Sequence, residues 1–455
     1  MTHRYHQHLP FPRQDVWDWH ALPGAVTRLT PGFSRLGVTA EASSLKDGTT
    51  VFSLPGGVPG LRSWQARHQP GDYVDGRLFV DVCDNPPLRQ LVRWRHSHAF
   101  HDDDTATSRG TLLTDTVHCT APAALLDRVF AYRHRQLSAD LEHRARIGDA
   151  SASGHHTVAV TGATGLVGTR LVALLRSLGH TVIPVSRSPL PGEPDARVWD
   201  PDSPAPDLFD GADTVVHLAG ASIAGRFTEK HKAAVRDSRI GPTQRLAELA
   251  AATDGVRSFV CASAVGFYGH RRAGRVGERA GAGEGFLAEV VSDWEAACGP
   301  AANAGRRVVN VRTGLVMAGG SPLLTALGAS SRLGGGVLGT GRQHFPWISV
   351  DDLVDVYVRA VVDETLSGPV NAVGPQMITN AEFTDTLADL QRIRVPLSLP
   401  VPAAAPALLL GVQGAEELAL ADQNVAPSVL EDTGHVFRHP TLRAALVHEW
   451  GLPDE

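Results

Sequence analysis

Three glycines carry the most specific chemistry in the chain. Gly162, Gly165 and Gly168 stand at G-x-x-G-x-x-G spacing in Thr161-Gly162-Ala163-Thr164-Gly165-Leu166-Val167-Gly168. Val158, Ala159 and Val160 before them read as a short buried strand. Leu166, Val167, Leu171, Leu174, Leu175 and Leu178 recur at helical spacing, Gly179 stops the helix, and Thr181 to Val185 is a second strand. In that setting Gly162 permits the tight turn, Gly165 lets the backbone approach a pyrophosphate, and Gly168 lets helix and strand pack closely. The phosphates of a dinucleotide would sit on the free N–H groups of the helix start. A purely structural glycine turn is the competing reading.

The end of the second strand selects the dinucleotide. An NAD site usually has an acidic residue there for the ribose 2′-OH. This chain has Ser186-Arg187-Ser188 instead. With no carboxylate beside it, the planar fork of Arg187 suits a 2′-phosphate, so NADP(H) is the expected cofactor. A solvated surface arginine is the alternative.

These groups need elements to hold them. Strands at Ala196 to Trp199, Thr214 to Leu218, Ser258 to Ala262 and Arg307 to Val311 alternate with helices at Glu229 to Arg239, Pro242 to Ala252 and Phe286 to Ala297. Alternation over such a length predicts an α/β fold with a doubly wound, Rossmann-type parallel sheet. Leu218-Ala219-Gly220, Ala262-Ser263-Ala264 and Arg312 to Val316 all follow strands. They therefore fall at the carboxyl edge, where open α/β sheets bind ligands.

At 455 residues, two to three domains are expected, and 43% apolar content is ample for packed cores. A net charge of −6 gives no argument for nucleic acid or an anionic membrane. Cys83, Cys119, Cys261 and Cys298 are scattered without a C-x-x-C pair. Reduced thiols and a cytoplasmic location are the expectation. Met1 to Pro12 is polar and His-rich, without the apolar core of a secretory signal. No apolar run reaches the roughly 20 residues needed to span a bilayer.

Ahead of the glycine loop, residues 1–147 read as a β-rich domain. Helical patterning covers Arg13 to Trp19. Strand-like runs follow at Thr50 to Leu54, Ser63 to His68, Tyr73 to Val82, Leu91 to Phe100 and Ser108 to His118. Ala123 to Arg146 is one long amphipathic helix. A curved antiparallel sheet gripping that helix is the natural packing. His96 and His98 share one face of a strand, the arrangement of a metal pair. No third ligand stands at a telling spacing, so a structural role is expected and no metal is assigned.

Phe79-Val80-Asp81, Trp94 to Phe100, Thr111 to Val117 and Pro122, with the order of elements, make this half resemble the START-like (SRPBCC) superfamily. That resemblance implies an apolar ligand between sheet and helix. Residues 155–395 resemble the atypical epimerase-like branch of the extended short-chain dehydrogenase/reductases. The residues that carry it are the glycine loop, Val185-Ser186-Arg187, Leu218-Ala219-Gly220, Ser238-Arg239, Ala264 to Gly269, Trp294-Glu295, Arg312-Thr313-Gly314 and Phe345 to Ile348. Residues 396–455 match that branch's C-terminal helical segment, packed on the substrate lobe. By resemblance, cofactor contacts fall on Gly162, Thr164, Gly165, Leu166, Val167, Gly168, Ser186, Arg187, Leu218, Ala219, Gly220, Arg239 and Val316.

One departure bears on catalysis. The superfamily's Tyr-x-x-x-Lys pair, in which lysine lowers the tyrosine pKa, has no counterpart. The lysines are Lys46, Lys230 and Lys232, and none has a tyrosine four positions earlier. Ser263 keeps the family's serine position and would hydrogen-bond a substrate oxygen. Tyr268, with Arg272 four residues on, is the candidate proton donor. Phe345 to Ile348 is read as pocket lining, and Gly334 to Gly341 as a lid. Asp351-Asp352 is read as a helix cap. The resulting expectation is an NADP(H)-dependent oxidoreductase or epimerase-like enzyme acting on a small, apolar carbonyl or hydroxyl substrate. The alternative is a non-catalytic NADP(H)-binding regulatory or scaffold protein with a lipid-like ligand domain. The sequence assigns no oligomeric state.

Overall fold

The structure is a computed structural model describing residues 1–56, 61–103, 110–148, 154–272, 274–332, 335–391, 399–402 and 404–453. Its N-terminal part is an antiparallel sheet of β1 (Thr2–Leu9), β2 (Gly37–Ala40), β3 (Thr49–Ser53), β4 (Ser63–His68), β5 (Leu78–Cys83), β6 (Arg95–Asp103) and β7 (Gly110–His118), in the order β1-β7-β6-β5-β4-β3-β2. Helices α1 (Arg13–Ala21), α2 (Ala25–Arg28), α3 (Leu88–Val92) and α4 (Ala123–Ile147) accompany it. Alternate residues of β6 and β7 turn inward, so Phe100, Leu113 and Val117 meet the buried Leu126, Phe130, Leu137 and Leu141 of α4.

Two local expectations are corrected here. The run from Leu91 to Phe100 is a helical turn followed by a strand, because Arg93 takes a left-handed conformation (φ 50°) and ends α3. Tyr73 to Val82 folds back on itself, with Val74 and Leu78 exchanging backbone hydrogen bonds across Gly76 (φ 66°). β1 pairs along its length with β7. One cavity between the sheet and α4 holds about 10 Å³, room for one water, and polar His20, Asp115, Arg133 and His134 share its wall with Leu113 and Leu137.

The second sheet is parallel: β8 (Thr157–Thr161), β9 (Thr181–Ser186), β10 (Arg197–Val198), β11 (Thr214–His217), β12 (Ser258–Ala264) and β13 (Arg307–Thr313) are its first six strands. Three short strands follow, β14 (Leu315–Met317), β15 (Gly335–Leu338) and β16 (Trp347–Ser349), before β17 (Gly368–Ala372) completes the large sheet. Its order, β10-β9-β8-β11-β12-β13-β17, reverses direction between β8 and β11. That is the switch point at which doubly wound sheets leave a crevice. The helices between these strands are α5 (Leu166–Ser177), α6 (Glu229–Asp237), α7 (Ile240–Ala252), α8 (Phe286–Ala296), α9 (Gly299–Asn303), α10 (Pro322–Arg332) and α11 (Val350–Val362), and a further helix, Asn380–Leu390, follows β17. Leu171 and Leu174 of α5 join Val354 and Val358 of α11 in the core on one face. Leu246 of α7 and Trp294 of α8 share the core on the other. The Rossmann-like α/β expectation stands.

Two readings of the later chain change. Gly335 to Leu338 is a strand paired with Leu399–Val401 rather than a loop; Gly334 lies outside the described residues. Trp347 and Ile348 are core residues, 1% and 0% exposed, so they do not line a pocket. The C-terminal helices Ala404–Gly414, Ser428–Asp432 and Leu442–Glu449 pack back on the parallel-sheet unit, with Val276 and Ala426 joined by a backbone hydrogen bond. Among the described residues no helix is long and apolar enough to cross a membrane.

The two sheet units meet through buried charge, which the sequence did not announce. Arg28 of α2 takes Asp140 of α4 at 2.7 Å and Asp351 of α11 at 2.8 Å. Arg438 binds Asp140 and, at 2.6 Å, Asp355. His448 reaches Gln136 at 2.9 Å. Asp351 and Asp352 therefore do more than cap α11. Ser349 is the side-chain cap, while Asp352 accepts the backbone N–H groups of Arg438 and His439.

Candidate functional site

The glycine loop has the geometry its spacing predicted. Gly162 is left-handed (φ 69°), and a Cβ there would press 3.0 Å from the backbone of Leu218 and Ala219. A Cβ on Gly168 would fall 2.1 Å from the carbonyl oxygen of Gly162, so only glycine lets α5 sit this close to β8. Thr161 Oγ1 accepts the N–H groups of Leu218 and Ala219, joining the ends of β8 and β11. Thr164, Gly165 and Leu166 are exposed, and Val167 is half-buried. The N–H groups at the start of α5 thus face open space at the sheet's switch point, and the helix dipole favours an anion there.

Two arginines flank that space differently. Arg187, just beyond β9, is exposed and has no ion-pair partner among the described residues. Ser186 beside it is half-buried, its hydroxyl bonded to the Ser188 carbonyl. Arg239 is 7% exposed and sits against Gly220, whose Cβ would lie 3.5 Å from its Cζ. It donates to the carbonyls of Val235 and Ala221 and lies over the Trp294 ring. Among the described residues no carboxylate neutralises it. Burial pushes its pKa down to about 10. A buried cation without a counter-ion is a ready partner for an anionic ligand. Val316, half-buried on β14, pairs with Ile348 across the β14–β16 ladder.

Ser263 and Tyr268 are brought together, though not as the sequence suggested. Ser263 Oγ, at the carboxyl end of β12, donates to Glu295 Oε1 of α8 at 2.6 Å. Arg312 of β13 grips the same carboxylate with two bonds, Nε to Oε1 at 2.8 Å and Nη2 to Oε2 at 2.7 Å. Its remaining Nη1 donates to the Tyr268 hydroxyl at 2.9 Å, which donates to Asn371 Oδ1 at 2.8 Å. A continuous chain, Ser263–Glu295–Arg312–Tyr268–Asn371, therefore spans the ends of β12, β13 and β17.

The expected partnership with Arg272 is corrected. Arg272 turns to the carbonyls of Gly281 and Ala282, and Arg312 takes its place beside Tyr268. Tyr268 is fully buried, with both hydroxyl valences used. Burial raises its pKa, outweighing the opposing effect of Arg312, so the tyrosine is held protonated rather than activated. Glu295 and Arg312 were missed as site residues. A signal existed: Glu295 falls four residues after Val291 and seven after Ala288, on the buried stripe of α8. His217 was missed as well. It is 0% exposed, hydrogen-bonds Thr161 and Thr243, and burial lowers its pKa to about 4, keeping it neutral.

With this geometry in view, the relatives are informative. Residues 158–372 match the NAD dependent epimerase/dehydratase family, and residues 401–449 match a domain of unknown function, DUF1731. An epimerase family protein of Mycobacterium bovis is 40% identical over 293 residues, 64% of this chain and 96% of that protein. The crystal structure of a nucleoside-diphosphate sugar epimerase from Corynebacterium glutamicum is 44% identical, with a TM-score of 0.85, and the match covers 99% of this chain and 90% of that one. The human epimerase family protein, solved with NADPH, is 32% identical with a TM-score of 0.58, over 65% of this chain and 99% of that one. The fold is thus shared with these solved structures, and the chain belongs to the NAD dependent epimerase/dehydratase family.

Proposed function

We propose that the chain binds NADP(H) and works as an oxidoreductase or epimerase-like enzyme on a small carbonyl or hydroxyl substrate. The observation that carries this reading is the exposed start of α5, cradled by Gly162 and Gly168, with two arginines at its flanks that have no carboxylate partner among the described residues. Gly162, Thr164, Gly165, Leu166, Val167 and Gly168 would receive the diphosphate. Ser186 and Arg187 would take the 2′-phosphate, and Leu218, Ala219, Gly220, Arg239 and Val316 would hold the rest of the cofactor. The NADPH in the human relative supports the same choice. When bound, the cofactor supplies hydride exchange.

The chain's own part is to hold the substrate and manage one proton. Ser263 is the proposed catalytic residue: in the oxidation direction its hydroxyl would take up the substrate O–H proton while passing its own to Glu295, and in the reduction direction the two transfers would run in reverse. Arg312 and Tyr268 are positioning residues that fix Glu295. Nucleoside-diphosphate sugars, named for the Corynebacterium glutamicum relative, are the first substrates to test, with apolar carbonyls second. We further propose boundaries of 1–147 for a START-like domain, 155–395 for the cofactor domain and 396–455 for the helical segment. Stereospecific hydride exchange from labelled NADPH, lost in Ser263→Ala while NADPH still binds, is the expected result.

A second reading rests on a specific observation. Both candidate hydroxyls are already hydrogen-bonded within the protein, as in a binding module without turnover. NADPH binding with no exchange toward either substrate class would favour that non-catalytic role.

A further inference from the structure

The N-terminal sheet carries a cluster that the cofactor site does not use. Asp81 on β5 lies directly across from His96 on β6, and His98 lies across from Asp115 on β7. All four side chains turn inward, beneath α4, and each residue is at most 9% exposed. The absent third ligand of the His-x-His pair is therefore Asp81, fifteen positions before His96 and beside it only once β5 and β6 pair.

The distances have the form of a metal site. His96 Nδ1 is 3.5 Å and His98 Nε2 is 3.4 Å from Asp81 Oδ2, and each of the three residues offers a ligand atom within 4.8 Å of the other two. Ligands bound at zinc-like lengths stand about 3.4 Å apart along a tetrahedral edge. The outward ring nitrogens, His96 Nε2 and His98 Nδ1, each lie 2.8 Å from Asp115 Oδ1. A carboxylate behind each metal-bound imidazole is the usual way to fix its tautomer and orientation. His98 Nδ1 is buried and makes no aligned hydrogen bond, although Asp115 is near. Trp94 Nε1 donates to Asp81 Oδ1 at 2.8 Å, leaving Oδ2 directed at the histidines.

Charge favours a cation here over the rival cluster. Asp351, His439 and His448 also converge, but Arg28 at 2.8 Å already neutralises Asp351. Among the described residues, neither Asp81 nor Asp115 has a lysine or arginine bonded to it. We propose that Asp81, His96 and His98 form a binding site for a divalent transition ion of the zinc type, with Asp115 and Trp94 as its supporting shell. The ion would tie β5 to β6 at the centre of the N-terminal sheet.

The test uses untagged, chelator-stripped full-length protein titrated with Zn2+ and, separately, Co2+. One ion per chain is expected, with the intense visible bands of tetrahedral Co2+ and a rise in melting temperature on adding Zn2+. His98→Gln and Asp81→Asn should abolish binding, Asp115→Asn should weaken it about 10- to 100-fold, and His101→Ala, on the exposed part of β6, should leave it unchanged. NADPH binding should be the same in all four variants. No saturable binding overturns the proposal, as does binding that survives intact in the Asp81→Asn/His98→Gln double variant. If those variants fail to fold, the wild-type Co2+ spectrum decides: weak octahedral bands, or none, overturn the assignment.

Discussion

Arg312 grips Glu295 through a two-pronged ion pair, with bonds of 2.8 and 2.7 Å, both side chains being largely buried. Everything proposed for Ser263 passes through that pair, because Ser263 and Arg312 share one carboxylate oxygen. Removing one member of a buried pair leaves the other uncompensated, which typically costs about 3–5 kcal/mol. Glu295→Gln should therefore lower the unfolding free energy by that amount, read as a lower urea midpoint at unchanged m-value. An unchanged midpoint would mean that the pair does not hold the site together.

Ser263→Ala and Tyr268→Phe should separate chemistry from positioning. Losing a positioned proton-transfer group costs about 10²- to 10⁴-fold in rate. Ser263→Ala is expected to reduce hydride exchange within that range at unchanged NADPH affinity. Tyr268→Phe leaves Asn371 Oδ1 without its donor, at a cost of about 1–3 kcal/mol in stability. A Tyr268→Phe variant losing all exchange at full stability would return the tyrosine to the catalytic role.

Arg187 should decide between cofactors. A hydrogen bond to a charged group contributes about 1.5–3 kcal/mol, or roughly 10- to 100-fold in affinity. Arg187→Ala should weaken NADPH by that factor and leave NADH unaffected, as read by fluorescence titration. Equal losses for both would remove the 2′-phosphate assignment.

Two glycines should fail in different ways. Gly168→Ala would drive a Cβ to 2.1 Å from the Gly162 carbonyl, forcing α5 away from β8 and lowering the melting temperature. Gly165→Ala meets only a 3.2 Å contact with that oxygen, so it should fold while obstructing the diphosphate. Calorimetry paired with NADPH titration reads both effects.

Asp352 makes stability depend on pH. Burial, reinforced by Asp355, raises its pKa to about 7. The unfolded chain releases that proton near pH 4. Between about pH 4 and 7 the folded state thus binds the extra proton, and stability from this group falls as pH rises. Asp352→Asn, which mimics the protonated acid, should flatten that decline between pH 5 and pH 8 in thermal melts. Asp355 acts oppositely. Burial alone would raise its pKa, but Arg438 and His143 outweigh burial and hold it well below the ordinary range, so its contribution is lost on acidification.

Local pattern alone determined the cofactor half. The strand–glycine–helix run at 158–178, the small residues after β11 and the alternation of β with α each concern neighbours in sequence, and backbone sterics at Gly162 and Gly168 leave little choice. The long amphipathic α4 and most antiparallel strands were legible for the same reason. What only tertiary structure decided are the long-range polar meetings. Arg312 displaces Arg272 beside Tyr268 because β12 and β13 lie side by side, whereas Arg272 follows a turn that carries it outward. Arg28 finds Asp351 across 323 positions, since the two sheet units bury their charges against each other. Asp81 joins His96 through strand register alone. Ion pairs and ligand sets have no period in the chain, and their partners are chosen by packing.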